Sequence, residues 1–260
     1  MQTVKAKKHL GQHFLNDETI AKSIVDALIN ENSDTIIVEV GPGMGVLTKH
    51  LIKLNANFIA FDVDEESIIY LKQNYPEHSS KFLLQDFLSQ NTTKHVSGKF
   101  NLIGNFPYNI SSQIMFKVLE NKNNIDCVVG MFQKEVAERI AEKPGSKTYG
   151  ILSVLLQAYY NIEYLFTVNE NLFTPPPKVK SAVIKLIRNN TNKLNCNEEL
   201  FVKVVKACFN QRRKMIRNSV QSLLQNKSIQ HELFTLRPEQ LSVPQFVELT
   251  NFVEQNTLNK

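Results

Sequence analysis

A short β-branched run followed at once by a glycine-rich turn is the feature that most constrains the fold. The run covers residues 35–40 and leads directly into Gly41-Pro42-Gly43-Met44-Gly45, after which a helical pattern begins at Val46. Glycines let the backbone approach a ligand closely, and the N-terminus of the following helix carries partial positive charge. Strand, glycine turn and helix in this order predict an open α/β sheet with a nucleotide-type ligand at the strand end.

An acidic residue follows the next predicted strand at the spacing typical of ribose recognition. Residues 58–61 lead into Asp62, which lies 21 positions after Gly41, and an acid at about this spacing accepts hydrogen bonds from ribose hydroxyls. The turn departs from the dinucleotide fingerprint because Val46 stands where the third glycine belongs, and no Lys-Ser/Thr pair cradles a phosphate. A ligand with ribose but no phosphate fits better, S-adenosylmethionine being one, and a nicotinamide dehydrogenase is disfavoured.

Two further predicted strands also end in residues suited to a ligand. Residues 82–85 lead into Asp86 and Phe87, where the acid accepts from an adenine amine and the ring covers the base; the alternative for Asp86 is an ordinary loop cap. Residues 100–103 lead through Gly104 into the Asn105–Tyr108 turn. An amide, carbonyls beside a rigid proline and a flat ring suit a planar base that carries an exocyclic amine.

The carboxyl-terminal third of the chain has a different charge balance from the rest. Residues 178–260 carry 14 Lys and Arg against 6 Asp and Glu, whereas residues 1–177 carry 16 against 19. A polar, turn-rich stretch at 189–197 precedes a helical pattern, so we predict one domain at 1–188 and a helical one at 189–260. The basic excess favours a module that binds a polyanion, although a solvated charged face is the alternative. The candidate cations are Lys5, Lys7 and Lys8 in an N-terminal arm (residues 5–15), and Arg212, Arg213, Lys214 and Arg217.

Composition excludes several other classes of protein. No stretch approaches the roughly 18 consecutive apolar residues of a membrane span, and no secretory signal is visible at the N-terminus. Cys127, Cys196 and Cys208 are odd in number and lack metal-type spacing. We therefore expect a cytoplasmic protein with free thiols and without a metal, and we expect a monomer.

Five motifs in the same order resemble those of the ribosomal RNA adenine dimethyltransferases, over nearly the whole chain. They lie at residues 11–15, 39–43, 105–111, 173–181 and 209–214. The first and last resemble more narrowly the small-subunit (16S) branch, whose loss gives kasugamycin resistance. The resemblance implies a Rossmann-like S-adenosylmethionine-dependent methyltransferase domain followed by a small all-helical domain. It also implies dimethylation of two adjacent adenosines in the 3′-terminal hairpin of 16S rRNA, within the small subunit or its precursor.

The resemblance also implies site residues. The family's cofactor contacts fall on His13, Leu15, Gly41, Asp62, Asp86 and Asn105, and the strand ends add Gly43, Val63 and Phe87. His13 stands where the family usually has Asn, Asp62 where Glu is commoner, and Phe106 where Leu is more usual. Both His13 and Asp62 keep a hydrogen-bonding side chain, so we expect altered geometry with cofactor binding retained.

The catalytic residues are predicted to be Asn105, Phe106, Pro107, Tyr108 and Phe173. An adenine amine is a poor nucleophile because its lone pair is delocalised into the ring. The side-chain oxygen of Asn105 and the carbonyl of Phe106 would each accept one N–H and localise that lone pair, so that no general base is required. Tyr108 and Phe173 would stack on the two faces of a base taken out of its own stack.

Two rival functions remain open at the level of sequence. One is the large-subunit (23S) dimethyltransferase of the macrolide-resistance type, which shares the turn at residues 105–108. The other is a non-catalytic RNA-binding assembly factor that keeps the fold. Intact motifs at residues 41–45 and 105–108 argue against a loss of catalysis.

Overall fold

The computed structural model describes residues 4–28, 35–89, 95–226 and 228–257. Its strands are β1 (Phe14–Leu15), β2 (Ile36–Val40), β3 (Phe58–Asp62), β4 (Phe82–Leu84), β5 (Phe100–Asn105), β6 (Ile125–Gln133), β7 (Tyr160–Val168), β8 (Phe173–Thr174) and β9 (Ser181–Arg188). Its α-helices are α1 (Glu18–Leu28), α2 (Thr48–Lys53), α3 (Glu65–Asn74), α4 (Ser111–Glu120), α5 (Lys134–Ala141), α6 (Ile151–Gln157), α7 (Glu198–Asn210), α8 (Ile216–Val220) and α9 (Val243–Gln255).

Seven of these strands form one sheet in the order β4-β3-β2-β5-β6-β9-β7. Strands β2 to β6 pair in parallel, and β9 runs antiparallel to β6. The near-continuous apolar runs follow from this arrangement, since a parallel sheet is covered on both faces; four of the five residues of β2 are buried. The α/β fold predicted from the glycine turn is confirmed.

The strand order fixes where a ligand site belongs. From β2 the chain moves outward through β3 to β4 and then returns to place β5 on the other side of β2. In open α/β sheets the crevice beyond the carboxyl ends of the strands at such a reversal binds the ligand. The ends of β2, β3, β4 and β5 therefore converge on one place.

The chain divides into two compact units. The first comprises residues 1–137 and 161–188, and holds the large sheet apart from Tyr160; in it α1 packs against β5, β6 and β9. The second comprises residues 138–160 and 189–260, and α6 to α9 lie in it. This differs from the division drawn from the sequence, because residues 138–160 group with the second unit. Tyr149 and most residues of α6 are buried in this segment. Helical periodicity in the sequence shows that such apolar residues face a core, but it does not show which of two cores they join.

No helix among the described residues combines the length and the apolar character that crossing a membrane requires.

The three cysteines form no disulfide, and burial raises the pKa of the Cys127 thiol to about 11 and that of the Cys208 thiol to about 12.

Candidate active site

A cavity of about 320 Å³ lies in the first unit at the carboxyl ends of β2 to β5. Its lining contains ten residues predicted from the sequence: His13, Gly41, Gly43, Asp62, Val63, Asp86, Asn105, Phe106, Pro107 and Tyr108. The lining also contains residues that sequence reasoning missed: Leu10, Gly11, Gln12, Phe14, Leu88, Asn109, Ile110 and Gln113. Half of these residues, Gln12, Phe14, Leu88 and Asn109, are direct sequence neighbours of predicted site residues, and that adjacency is the one signal that could have found them.

The glycine turn forms one wall of the cavity. Gly41 and Gly43 have φ angles of +70° and +54°, in the left-handed region where a side chain is strained. A Cβ on Gly43 would also lie 2.8 Å from the Phe14 ring. The turn is tied to the next strand because the Gly43 N–H donates to Asp62 Oδ2 at 3.2 Å.

Two buried carboxylates lie behind this wall. Asp62 is 7% exposed, and burial raises its pKa to about 6. Glu39 at the end of β2 accepts a hydrogen bond from Thr48 Oγ1 at 2.7 Å, and burial raises its pKa to about 7, with the nearby charge of Asp62 adding to the effect. Glu39 and Leu15 line a smaller recess of about 40 Å³ that shares Gly41, Gly43 and Asn105 with the main cavity. Leu15 thus lies beside this recess and outside the main lining.

Of the two residues predicted to contact an adenine, Asp86 and Phe87, the structure places only Asp86 at the cavity. Asp86 lines the cavity, and its Oδ1 also accepts from the Leu88 N–H at 2.8 Å, so it caps its own loop as well. Phe87 is 3% exposed and does not line the cavity, which corrects its predicted role of covering the base. The apolar side chains available there are Leu88 and Val63, the latter 51% exposed.

The N-terminal arm supplies another wall of the cavity, with residues 10–14 in the lining. It is held by Asp64, which caps α3 and accepts hydrogen bonds from Lys7 Nζ and, at 2.9 Å, from Gln12 Nε2. Burial works to raise the pKa of Asp64, but these donors together with Ser67 hold it below its usual value. Lys7, predicted to contact RNA, is therefore paired within the protein, while Lys5 and Lys8 are exposed.

The Asn105–Tyr108 turn presents two hydrogen-bond acceptors. Asn105 Nδ2 donates to the His13 carbonyl oxygen at 2.9 Å. A carbonyl only accepts, so this bond fixes the amide nitrogen and leaves Oδ1 for another donor. Within the described residues no protein group donates to Asn105 Oδ1 or to the Phe106 carbonyl oxygen. The two oxygens are thus free to accept hydrogen bonds from a ligand.

The side chains of Phe106 and Tyr108 anchor this turn. The Phe106 ring is buried and packs edge-on against Phe132, with ring centroids 5.2 Å apart. The Tyr108 hydroxyl is hydrogen-bonded to Ser181 Oγ, and burial raises the pKa of Tyr108, so the phenol is neutral. One face of the Tyr108 ring stacks on His13, with centroids 5.4 Å apart and planes inclined by 25°.

Phe173 does not contribute to the cavity. It lies in β8, pairs with Leu15 of β1 and is 2% exposed within the hydrophobic core. The prediction that Phe173 stacks on a base opposite Tyr108 is corrected, because the side chain is enclosed by the core. A short antiparallel pairing decides this, and two-residue strands leave no periodic signal in a sequence.

In the second unit, the predicted cations differ in availability. Arg212 Nη2 donates to the carbonyl oxygens of Lys147 and, at 2.9 Å, of Tyr149. Arg213, Lys214 and Arg217 are exposed at and after the end of α7. The Arg212 side chain is thus hydrogen-bonded within the second unit, whereas the other three side chains are available to bind a polyanion.

Comparison with known proteins places these observations in a family. A family model described as ribosomal RNA adenine dimethylase matches residues 3–254. A Phocaeicola vulgatus protein named ribosomal RNA small subunit methyltransferase A is 55% identical over 263 residues, covering 100% of this chain and 94% of that protein. A Cytophaga hutchinsonii protein of the same name is 56% identical, covering 97% of this chain and 99% of its own length.

Solved structures show the same fold. The crystal structure of a dimethyladenosine transferase from Plasmodium falciparum is 25% identical with a TM-score of 0.78, covering 94% of this chain and 98% of that one. The 23S rRNA methyltransferase ErmE is 23% identical with a TM-score of 0.68, covering 92% and 99%. At that identity, the likeness to ErmE shows the fold alone.

Proposed function

This chain belongs to the ribosomal RNA adenine dimethylase family, and from that membership we propose the following reaction. The protein transfers methyl groups from S-adenosylmethionine to the exocyclic amines of two adjacent adenosines in the 3′-terminal hairpin of 16S rRNA, in the cytoplasm. Relatives 55–56% identical carry the name of a small-subunit rRNA methyltransferase, which favours this substrate over 23S rRNA. The observation that carries the proposal is the pair of free acceptor oxygens on Asn105 and Phe106 beside the cavity.

The cavity fits S-adenosylmethionine in size and chemistry. Pockets for small ligands usually measure roughly 300–1,000 Å³, and about 320 Å³ is within that range. Asp62 and Asp86 offer carboxylates for ribose hydroxyls and an amine, and Val63 and Leu88 offer apolar surface. Among the described residues that line the cavity there is no Lys or Arg, so a phosphate would find no counter-charge. When bound, this cofactor supplies the methyl group as an electrophilic sulfonium.

The protein's own contribution to catalysis is to bind and orient the amine. Asn105 Oδ1 and the Phe106 carbonyl each accept one N–H, which draws the nitrogen towards tetrahedral geometry and localises its lone pair. Each accepting group is fixed before the substrate arrives, Asn105 by the His13 carbonyl and Phe106 by its buried ring. Because the proton becomes acidic only after transfer, alignment supplies much of the rate and no tuned base is needed.

A target adenosine must leave its stack, which costs a few kcal/mol. Stacking of a base on an aromatic ring contributes roughly 1–3 kcal/mol, and the Tyr108 ring, which lines the cavity next to the two acceptor oxygens, can supply it. A monomethylated amine has lost one N–H but keeps one hydrogen bond and the stacking contact, so a second transfer at the same site is feasible.

RNA would be held by exposed cations on both units. These are Lys5 and Lys8 in the N-terminal arm, and Arg213, Lys214 and Arg217 in the second unit. Lys7 and Arg212 are left out of this set because carboxylate or carbonyl partners within the protein already engage them.

Labelled methyl transfer to under-methylated small subunits, followed by mapping of the modified bases, tests the proposal. We expect two adjacent dimethyladenosines, with no incorporation into naked large-subunit RNA. Incorporation into large-subunit RNA alone would favour the macrolide-resistance function. Binding to small subunits without any methyl transfer, in the presence of bound cofactor, would favour a non-catalytic assembly factor.

A further inference from the structure

The aromatic ring that faces Tyr108 belongs to His13. The pairing of β1 with β8 aligns Phe14 with Thr174 and Leu15 with Phe173. Leu15 and Phe173 both enter the hydrophobic core. On the other side of Phe14, the same antiparallel register brings His13 beside Pro175. The imidazole then stacks on Tyr108 with centroids 5.4 Å apart.

Three contacts hold His13. Its Nδ1 lies 2.7 Å from the Pro175 carbonyl oxygen, which only accepts, so Nδ1 carries a proton in this contact. Its own carbonyl accepts from Asn105 Nδ2 at 2.9 Å. Its ring face lies on Tyr108. One residue thus contacts both ends of the Asn105–Tyr108 turn.

Resting on the function proposed above, we infer that His13 is a positioning residue for the methyl-accepting turn. Its ring fixes the plane of Tyr108, and its backbone carbonyl fixes the amide of Asn105. The target base takes the other face of Tyr108. A base between the two rings needs a separation of roughly 7 Å, twice the 3.4 Å rise of stacked bases, and the centroids are 5.4 Å apart.

The ring contact is a property of this chain's own residue. At this position the resembling family usually has Asn, whose side chain has no ring to stack on Tyr108. The carbonyl contact with Asn105, in contrast, is made by the backbone and survives most substitutions. Side-chain variants of His13 therefore test the ring contact by itself.

Two variants separate the ring from its hydrogen bond. His13→Phe keeps a ring against Tyr108 and loses the donor to Pro175, whereas His13→Ala loses both. With small subunits and cofactor saturating, we expect His13→Ala to lower kcat about tenfold and His13→Phe to retain at least half of it. The cofactor dissociation constant, measured by calorimetry, should change less than threefold in both.

Three outcomes would overturn the inference. In the first, His13→Ala has both the kcat and the cofactor dissociation constant of the natural protein. In the second, its kcat at saturating cofactor is unchanged while its cofactor dissociation constant rises more than threefold, which assigns His13 to the cofactor alone. In the third, RNA carrying 2-aminopurine at the target position is quenched more strongly by His13→Ala, which means that the imidazole occupies the place of the base. An absence of methyl transfer by the natural protein would instead refute the proposed function.

Discussion

The ring of Phe106 lies so close to Gly130 that a Cβ on this glycine would come within 2.2 Å of the ring carbon Cε2. Gly104 is similarly close, since a Cβ there would lie 2.6 Å from the same ring and 2.5 Å from the Val40 carbonyl oxygen. Two glycines in neighbouring strands thus make room for the ring that anchors the turn. The Phe106 N–H donates to the Met131 carbonyl oxygen at 3.2 Å, and the Phe106 carbonyl oxygen is left to accept a hydrogen bond from a ligand.

Gly130→Ala should therefore destabilise the protein, by about 1–3 kcal/mol as for other overpacked cores. It should also displace the Phe106 carbonyl and lower kcat. Urea unfolding measures the first effect, and methyl transfer at saturating substrates measures the second.

Combining Gly130→Ala with Phe106→Leu should restore most of the lost stability, because the smaller side chain vacates the space that the new methyl group needs. Strict additivity of the two changes in a double-mutant cycle would show that the ring and the glycine are not in contact.

Asn105→Ala should lower kcat roughly 100-fold, the effect typical of removing one preorganised hydrogen-bonding group from a reacting centre. Cofactor affinity should fall much less than kcat, since the other implied cofactor contacts, Asp62 and the glycine turn among them, remain. Asn105→Asp is the informative comparison: it keeps an acceptor oxygen but cannot donate to the His13 carbonyl. Full methylation by Asn105→Ala with cofactor bound would refute the mechanism.

The buried Glu39 should make stability depend on pH. Its pKa of about 7 in the folded protein exceeds the ordinary glutamate value of 4.5, so the folded state binds more protons than the unfolded state between these values. The free energy of unfolding should therefore fall as pH rises from about 4.5 to 7, and recover on acidification. Asp62, at about 6 against 3.8, acts in the same direction.

Denaturant unfolding of the cofactor-free protein between pH 5 and 8 measures this slope. Glu39→Gln should flatten it, since the amide keeps the acceptor for Thr48 but has no charge. The exposed Glu77→Gln is the matched control. Equal slopes in the two variants would mean that Glu39 does not cause the pH dependence of the free energy of unfolding.

Arg213→Gln with Lys214→Gln should weaken RNA binding and reduce its salt dependence. For two lost phosphate contacts, the slope of log K against log salt concentration should fall by about 1.4–1.8, the range from single strand to duplex. Cofactor affinity should not change. Lys53→Gln with Lys72→Gln removes the same charge from exposed positions on α2 and α3, so it controls for net charge alone.

Lys7→Gln should weaken cofactor binding and leave kcat at saturating cofactor unchanged, because Lys7 secures the arm that lines the cavity. Lys8→Gln, at the exposed neighbouring position, should leave cofactor binding intact. Calorimetric titration distinguishes the two, and equal affinities would show that the arm is held without the Lys7–Asp64 pair.

The sequence by itself determined the strands and the residues at their ends. β-branched runs, the glycine turn and the spacing to Asp62 are local signals, and parallel pairing then brings the strand ends together. Gly41, Asp62, Asp86 and Asn105 accordingly line one cavity, and His13, which only the family resemblance indicated, lines it as well.

Only the tertiary structure decided which side chains turn into that cavity and which cations are free. Phe173 and Phe87 enter the core, and the ring that stacks directly on Tyr108 is that of His13. Lys7 and Arg212 find partners within the protein. These outcomes depend on the register of a two-residue strand pair and on contacts between distant segments, and neither leaves a periodic trace along the chain.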